Sequence, residues 1–106
     1  MKELTAGEIS KKAMEILNLR GVECWRSNNL AVRGRKFIGR KGLPDINGFV
    51  RATGLAVYVE VKKIGDRIKP DQDEFLSLAK KAGAICLIAT QDKQTGNFLL
   101  TEFQND

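Results

Sequence analysis

A chain of 106 residues, 42 % of them hydrophobic, has apolar side chain enough for a core, which excludes a disordered segment and suits one compact domain over residues 1–106. Eighteen lysines and arginines outnumber thirteen acids for a net charge of +5, and Arg26, Arg33, Arg35, Lys36, Arg40 and Lys41 all fall between Glu23 and Asp45 with no acid among them; such a cluster favours a polyanionic partner, although a solvated loop has the same composition. Histidine is absent, so a histidine general base, histidine-held zinc and a Ser-His-Asp triad are excluded, and any catalysis runs on carboxylates, lysine, hydroxyls or a bound metal.

Thr5-Ala-Gly-Glu8 has the spacing of a capping box, and Ile9, Ala13, Ile16 and Leu17 mark one helical face. The first helix is therefore expected over Ala6–Arg20, ending at Gly21. Met1 to Gly7 lacks the apolar core of a signal peptide, and no run approaches the roughly 18 apolar residues of a membrane helix, so cytoplasmic residence is the default. Val22 to Arg26 reads as a short strand. Ser27 to Gly42 is polar, basic and glycine-punctuated, and reads as a loop or a loosely paired hairpin. Pro44 leads into a strand over Asp45–Val50, Arg51 to Gly54 is a turn, and Leu55 to Val61 is rich in β-formers. Pro70 opens a second helix that runs to about Ala82. Ala84 to Thr90 is another strand, Asp92 to Asn97 a turn, and Phe98 to Phe103 a final edge strand. Cys24 and Cys86 both sit in strand-like stretches and read as buried free thiols, since two isolated cysteines build neither a zinc cage nor a disulfide framework. Trp25 and Phe37 read as core packing, with base stacking as the alternative. The order α-β-β-β-α-β-β predicts an α/β fold, a mixed central sheet flanked by helices, with the strands on either side of the second helix parallel.

Side chains on a strand alternate faces. Glu60 and Lys62 therefore project together, and Val57, Val59 and Val61 project the other way, into the core. Taken alone, such a pair is better explained by an exposed ion pair on a sheet face. Asp45 alters that reading. A hairpin turning at Arg51 to Gly54 pairs residues whose numbers sum to about 105 and sets Asp45 opposite Glu60, with Cβ atoms roughly 4.5–5.5 Å apart. Two carboxylates that close repel unless a proton or cation lies between them, and magnesium suits such a pair. Gln72 shares a helical face with Phe75, Leu76 and Ala79 and points inward at the start of the second helix. Glu8 has two readings: it closes the capping box with Thr5, or, from the edge of the apolar stripe near Ile16 and Leu19, it reaches a metal site.

Gly42-Leu43-Pro44-Asp45, then Val59-Glu60-Val61-Lys62, then Arg67-Ile68-Lys69-Pro70-Asp71-Gln72, resembles the VRR-NUC (virus-type replication-repair nuclease) family of the PD-(D/E)xK superfamily. The resemblance implies a restriction-endonuclease-like core and a metal-dependent DNA endonuclease. It implies that Asp45, Glu60 and the backbone carbonyl of Val61 hold Mg2+ or Mn2+. Lys62 would orient the attacking water and offset charge on the phosphate, Gln72 would support the site, and Glu8 would be the first-helix acid. The basic segment, with Arg33, Arg35, Lys36, Arg40 and Lys41, would then grip the DNA backbone. The resemblance further implies a homodimer acting on branched DNA such as four-way junctions, in a bacterial or phage-infected cell, with no nucleotide cofactor. Two alternatives stay open: a nuclease without junction preference, and a non-catalytic nucleic-acid-binding module.

Overall fold

In the computed structural model, which describes residues 2–27 and 40–104, helix α1 (Ala6–Leu19) leads into strand β1 (Val22–Arg26). Strands β2 (Ile46–Val50) and β3 (Ala56–Val61) follow, then helix α2 (Pro70–Lys81) and strands β4 (Ile85–Gln91) and β5 (Phe98–Glu102). The element order is the one expected from the sequence, and each boundary lies within a residue or two of its expected place. The capping box at the start of α1 forms as read: the Thr5 hydroxyl accepts from the Glu8 N–H at 3.1 Å, and the Glu8 carboxylate accepts from the Thr5 N–H at 3.1 Å. These two bonds satisfy backbone donors that the first turn otherwise leaves open.

The sheet runs in the order β1-β2-β3-β4-β5. Strands β1, β2 and β3 pair antiparallel, β3 and β4 run parallel with α2 between them in sequence, and β5 returns antiparallel at the edge. In the central hairpin Ile46 faces Val59 and Phe49 faces Ala56. This register is set by the turn, where the Gly54 N–H reaches the Val50 carbonyl at 2.7 Å. Gly54 adopts φ 77°, a left-handed conformation that costs glycine little and other residues more.

Helices cover the sheet on both faces. On one face Ile9, Ala13 and Leu17 of α1 pack with Val22, Ile46, Val57, Val59, Val61 and Ala89. On the other, Leu76 of α2 packs with Cys86 and Phe103, with Tyr58, Phe75, Ala79 and Ile88 around them. Burying each valine or leucine contributes about 1.5–3 kcal/mol, so this double cover fixes which way β3 faces. Odd-numbered residues of β3 go under α1. Tyr58, Glu60 and then Lys62 take the α2 side. Glu60 is 2 % exposed and Lys62 9 % exposed, which rules out the exposed ion pair that the two residues suggest in isolation. No described helix is long and apolar enough to cross a membrane.

Three expectations need correction. Trp25 is 50 % exposed and meets the half-exposed Phe49 edge-on, with ring centroids 6.2 Å apart, so it is not core. It lies on the edge strand, on the face opposite α1, and α2 packs over β4 rather than β1. Leu19 is 88 % exposed, so the inward stripe of α1 stops at Leu17. Cys86 is buried as expected, but Cys24 is only half-buried; both are free thiols.

Candidate active site

Three segments meet where β3 ends. The first is the approach to β2. Pro44 is buried, and the Ser27 N–H donates to the Asp45 carbonyl at 2.8 Å, which holds the Asp45 backbone beside β1. Its side chain extends the hairpin by one more step: Asp45 Oδ2 accepts from the Val61 N–H at 2.8 Å. Continuing the register by one pair sets Asp45 across from Glu60, the juxtaposition expected from the turn length. Val61, between the acid and the lysine, is thereby fixed at the rim of the site.

The second segment is the end of β3, and the third is the first turn of α2. Gln72 joins them. Its Nε2 donates to Glu60 Oε1 at 3.2 Å, and its Oε1 accepts from Lys62 Nζ at 2.7 Å and from the Lys69 N–H at 2.9 Å. A carboxylate only accepts and an ammonium only donates, so an amide is suited to stand between them. Asp45, Glu60, Lys62 and Gln72 are thus brought together. Glu8 is not joined to them: one of its oxygens closes the capping box and the other pairs with Lys2 at 3.0 Å. Those contacts hold its carboxyl below the usual range, the Thr5 backbone N–H contributing most. Of the two readings for Glu8, the cap is the one the structure displays.

Of the residues assigned to DNA binding, Arg40 stands 5.5 Å from the centroid of the Phe75 ring, and Lys41 is exposed. Arg33, Arg35 and Lys36, together with Phe37, lie outside the described residues. Sequence reasoning missed the surroundings of Asp45. An open cleft of about 260 Å³ borders it, lined also by Ala6, Gly7, Ser10, Arg26 and Ser27. The signal available for it was Arg26, the one member of the basic cluster that falls inside a predicted strand. Asp71, next to Gln72, was also missed; it adds to the negative potential at Glu60.

The electrostatics of Glu60 are those of a group missing its counter-charge. Its pKa rises to about 9, first through burial and then through the neighbouring Asp45 carboxylate; Lys62 opposes this without overcoming it. Its Oε2 is buried with no hydrogen-bond partner. An orphaned carboxylate oxygen beside a second carboxylate is a feature that a divalent cation relieves. Among the described residues no group of three or more histidine, cysteine, aspartate or glutamate side chains is placed to hold a metal ion. Two carboxylates and a backbone carbonyl are a donor set that suits a hard cation keeping several waters, as magnesium does, and not zinc. The residues present therefore fit the group that the resemblance implies.

Gly42 secures the approach to Asp45. It has φ 80°, and a Cβ placed there would lie 2.2 Å from the Asp71 carbonyl oxygen and 2.9 Å from the Gln72 nitrogen. Backbone meets backbone, so neither side can yield cheaply. Gly42→Ala is expected to lower stability by about 2 kcal/mol or more, read as a lower urea midpoint. An unchanged midpoint would show that this contact is absent in solution.

The fold is similar to that of Hjc from Archaeoglobus fulgidus, a Holliday junction resolvase from an archaeal hyperthermophile. The likeness has a TM-score of 0.58 at 17 % identity and covers 91 % of this chain and 75 % of that one. No curated protein matches the chain. A mixed five-stranded sheet of this order with helices on its faces is the fold of a PD-(D/E)xK-type nuclease domain. Residues 4–92 match the VRR-NUC domain, and the chain belongs to that family.

Proposed function

We propose that the protein is a divalent-cation-dependent DNA endonuclease acting on branched DNA, four-way junctions in particular, as a homodimer. The observation that carries the cation dependence is the buried, unpartnered Oε2 of Glu60 beside Asp45. Asp45, Glu60 and the Val61 carbonyl would hold Mg2+ or Mn2+, which when bound supplies Lewis acidity at a phosphate and makes water more acidic. The remaining work falls to side chains. Lys62 places a hydrogen-bond donor where charge develops on the phosphate. Gln72 keeps Lys62 from collapsing onto Glu60 by bonding to both. Burial of Glu60 and Lys62 excludes competing water, which strengthens each of these interactions. Arg40 and Lys41, with the other bases of their segment, would contact the DNA backbone, a mode of binding that weakens with salt.

Branched-DNA selectivity is supported by the fold shared with a junction resolvase. A homodimer follows from the chemistry: cutting two strands needs two sites, and one chain holds one. The test is a cleavage panel in Mg2+ on single-stranded, duplex, flap and four-way substrates. Four-way junctions are expected to be cut at least about tenfold faster than duplex, a difference of about 1.4 kcal/mol in the barrier. Equal cutting of junction and duplex would leave a nuclease without junction preference. Binding without cutting in any metal would leave a non-catalytic module.

A further inference from the structure

The end of the sheet that presents Asp45 has a second side, which the carboxylate–lysine pair does not use. Register places Arg26 opposite Ile46, one residue from Asp45, and strand alternation turns its side chain toward α1. There its Nη2 donates to the Gly7 carbonyl at 3.1 Å. A guanidinium has five N–H donors, and this contact uses one. The ion pairs among the described residues are Lys2–Glu8 and Arg51–Glu23, so no carboxylate there neutralises Arg26. The cleft beside it is walled by the first turns of α1 and by Asp45. Ser10 lines the cleft and is only 6 % exposed. Its hydroxyl takes part in no hydrogen bond among the described residues. Thr5 caps only the Glu8 N–H of this 14-residue helix, and Ala6 and Gly7 of its first turn also line the cleft, near the positive end of the helix dipole. A cationic fork and a spare hydroxyl thus line one cleft at the start of α1, and, set against the Asp45 carboxylate that walls it, they supply the donors that a tetrahedral oxyanion accepts from.

We infer that this cleft is a phosphate subsite: it takes the DNA phosphodiester adjacent to the scissile one, with Arg26 as its main ligand and Ser10 as a second donor. The inference rests on the nuclease reading for the identity of its ligand. Asp45 separates the two phosphates, serving the reaction on one side and forming the wall of the subsite on the other. Seating the neighbouring phosphate there fixes how far along the strand the scissile bond lies from Asp45. Arg26 is accordingly a substrate-positioning residue, and its loss should affect binding and the placement of the cut.

The test separates this inference from the nuclease reading by measuring binding in a Lys62→Ala background, where cutting is not needed. Adding Arg26→Met, which retains part of the stem, is expected to weaken binding to a four-way junction about tenfold and to lower the slope of log affinity against log salt by about one. A neutral methylphosphonate at the phosphate next to the cleavage position should weaken the Arg26 protein by a similar factor and the Arg26→Met protein much less. Ser10→Ala should give a smaller loss in the same assay. Unchanged affinity and salt slope with Arg26→Met, or equal sensitivity of both proteins to the methylphosphonate, would overturn the subsite. If Arg26→Met does not fold, Arg26→Lys, which keeps a charge and a donor for the Gly7 carbonyl, takes its place. Insensitivity of the Arg26 protein to the methylphosphonate then overturns the subsite by itself. Failure of the wild type to cut in any metal, with the Arg26 effects intact, would instead strike the nuclease reading and spare the subsite.

Discussion

Replacing Lys62 by alanine is expected to slow phosphodiester cleavage in Mg2+ by a factor of about 10²–10³ while DNA affinity is retained. The expectation follows from where Lys62 is held. Lys62 is 9 % exposed, at the end of a strand buried on both faces, and its Nζ is fixed by Gln72 at 2.7 Å. A lysine so enclosed does little for long-range attraction of DNA, which the exposed bases supply, and is placed to act on one developing charge. Removing it leaves Gln72 Oε1 still bonded to the Lys69 N–H, so the first turn of α2 should stay in place and the loss should be chemical. Single-turnover cleavage of a junction, with affinity measured on the same substrate, separates the two quantities. Cleavage at the wild-type rate would remove Lys62 from the mechanism.

Glu60→Gln is expected to abolish cleavage and at the same time to stabilise the cation-free protein at alkaline pH. The sign follows from the proton balance. The carboxyl of Glu60 is raised to about 9 in the folded chain from 4.5, so between those values the folded state keeps a proton that the unfolded state has released. Stability therefore falls as pH rises through this window, by up to about 1.4 kcal/mol per unit, and levels off above about pH 9. Glutamine cannot ionise, accepts the same bond from Gln72 and can donate toward Asp45. The two proteins should melt together near pH 5, with the variant higher at pH 8 by on the order of a few kcal/mol, at about 4 °C or more per kcal/mol for a domain of this size. Adding Mg2+ should raise the melting temperature of the wild type and leave that of the variant unchanged. A wild-type melting temperature that does not fall relative to the variant between pH 5 and 9, and does not respond to Mg2+, would contradict this account of the site.

The arrangement behind both predictions was legible in the sequence because it rests on short-range rules. A four-residue turn sets the register of one hairpin, which puts Asp45 beside Glu60. Strand alternation puts Glu60 and Lys62 on one face, and helical spacing puts Gln72 with Leu76. Each rule spans a few residues. What stayed hidden spans more. The exposure of Trp25 depends on which strands α2 covers, and a period-two pattern does not say whether a helix lies above a given strand. The partner of Arg26 is a carbonyl nineteen positions earlier, and no local pattern marks it. Glu8 carried two compatible patterns, a cap and a stripe edge, and the structure forms the cap.

The close seating of Gly42 on α2 has a mechanical consequence. A residue with no side chain, pressed against the Asp71 carbonyl, transmits displacement without slack. Tension on the chain just before Gly42, where Arg40 and Lys41 stand, would be delivered to the turn that carries Gln72, which bonds to both Lys62 and Glu60. If Arg40 and Lys41 hold DNA as proposed, grip on the strand and alignment of Lys62 and Glu60 would share one lever, and a poorly held strand would leave that lever unloaded.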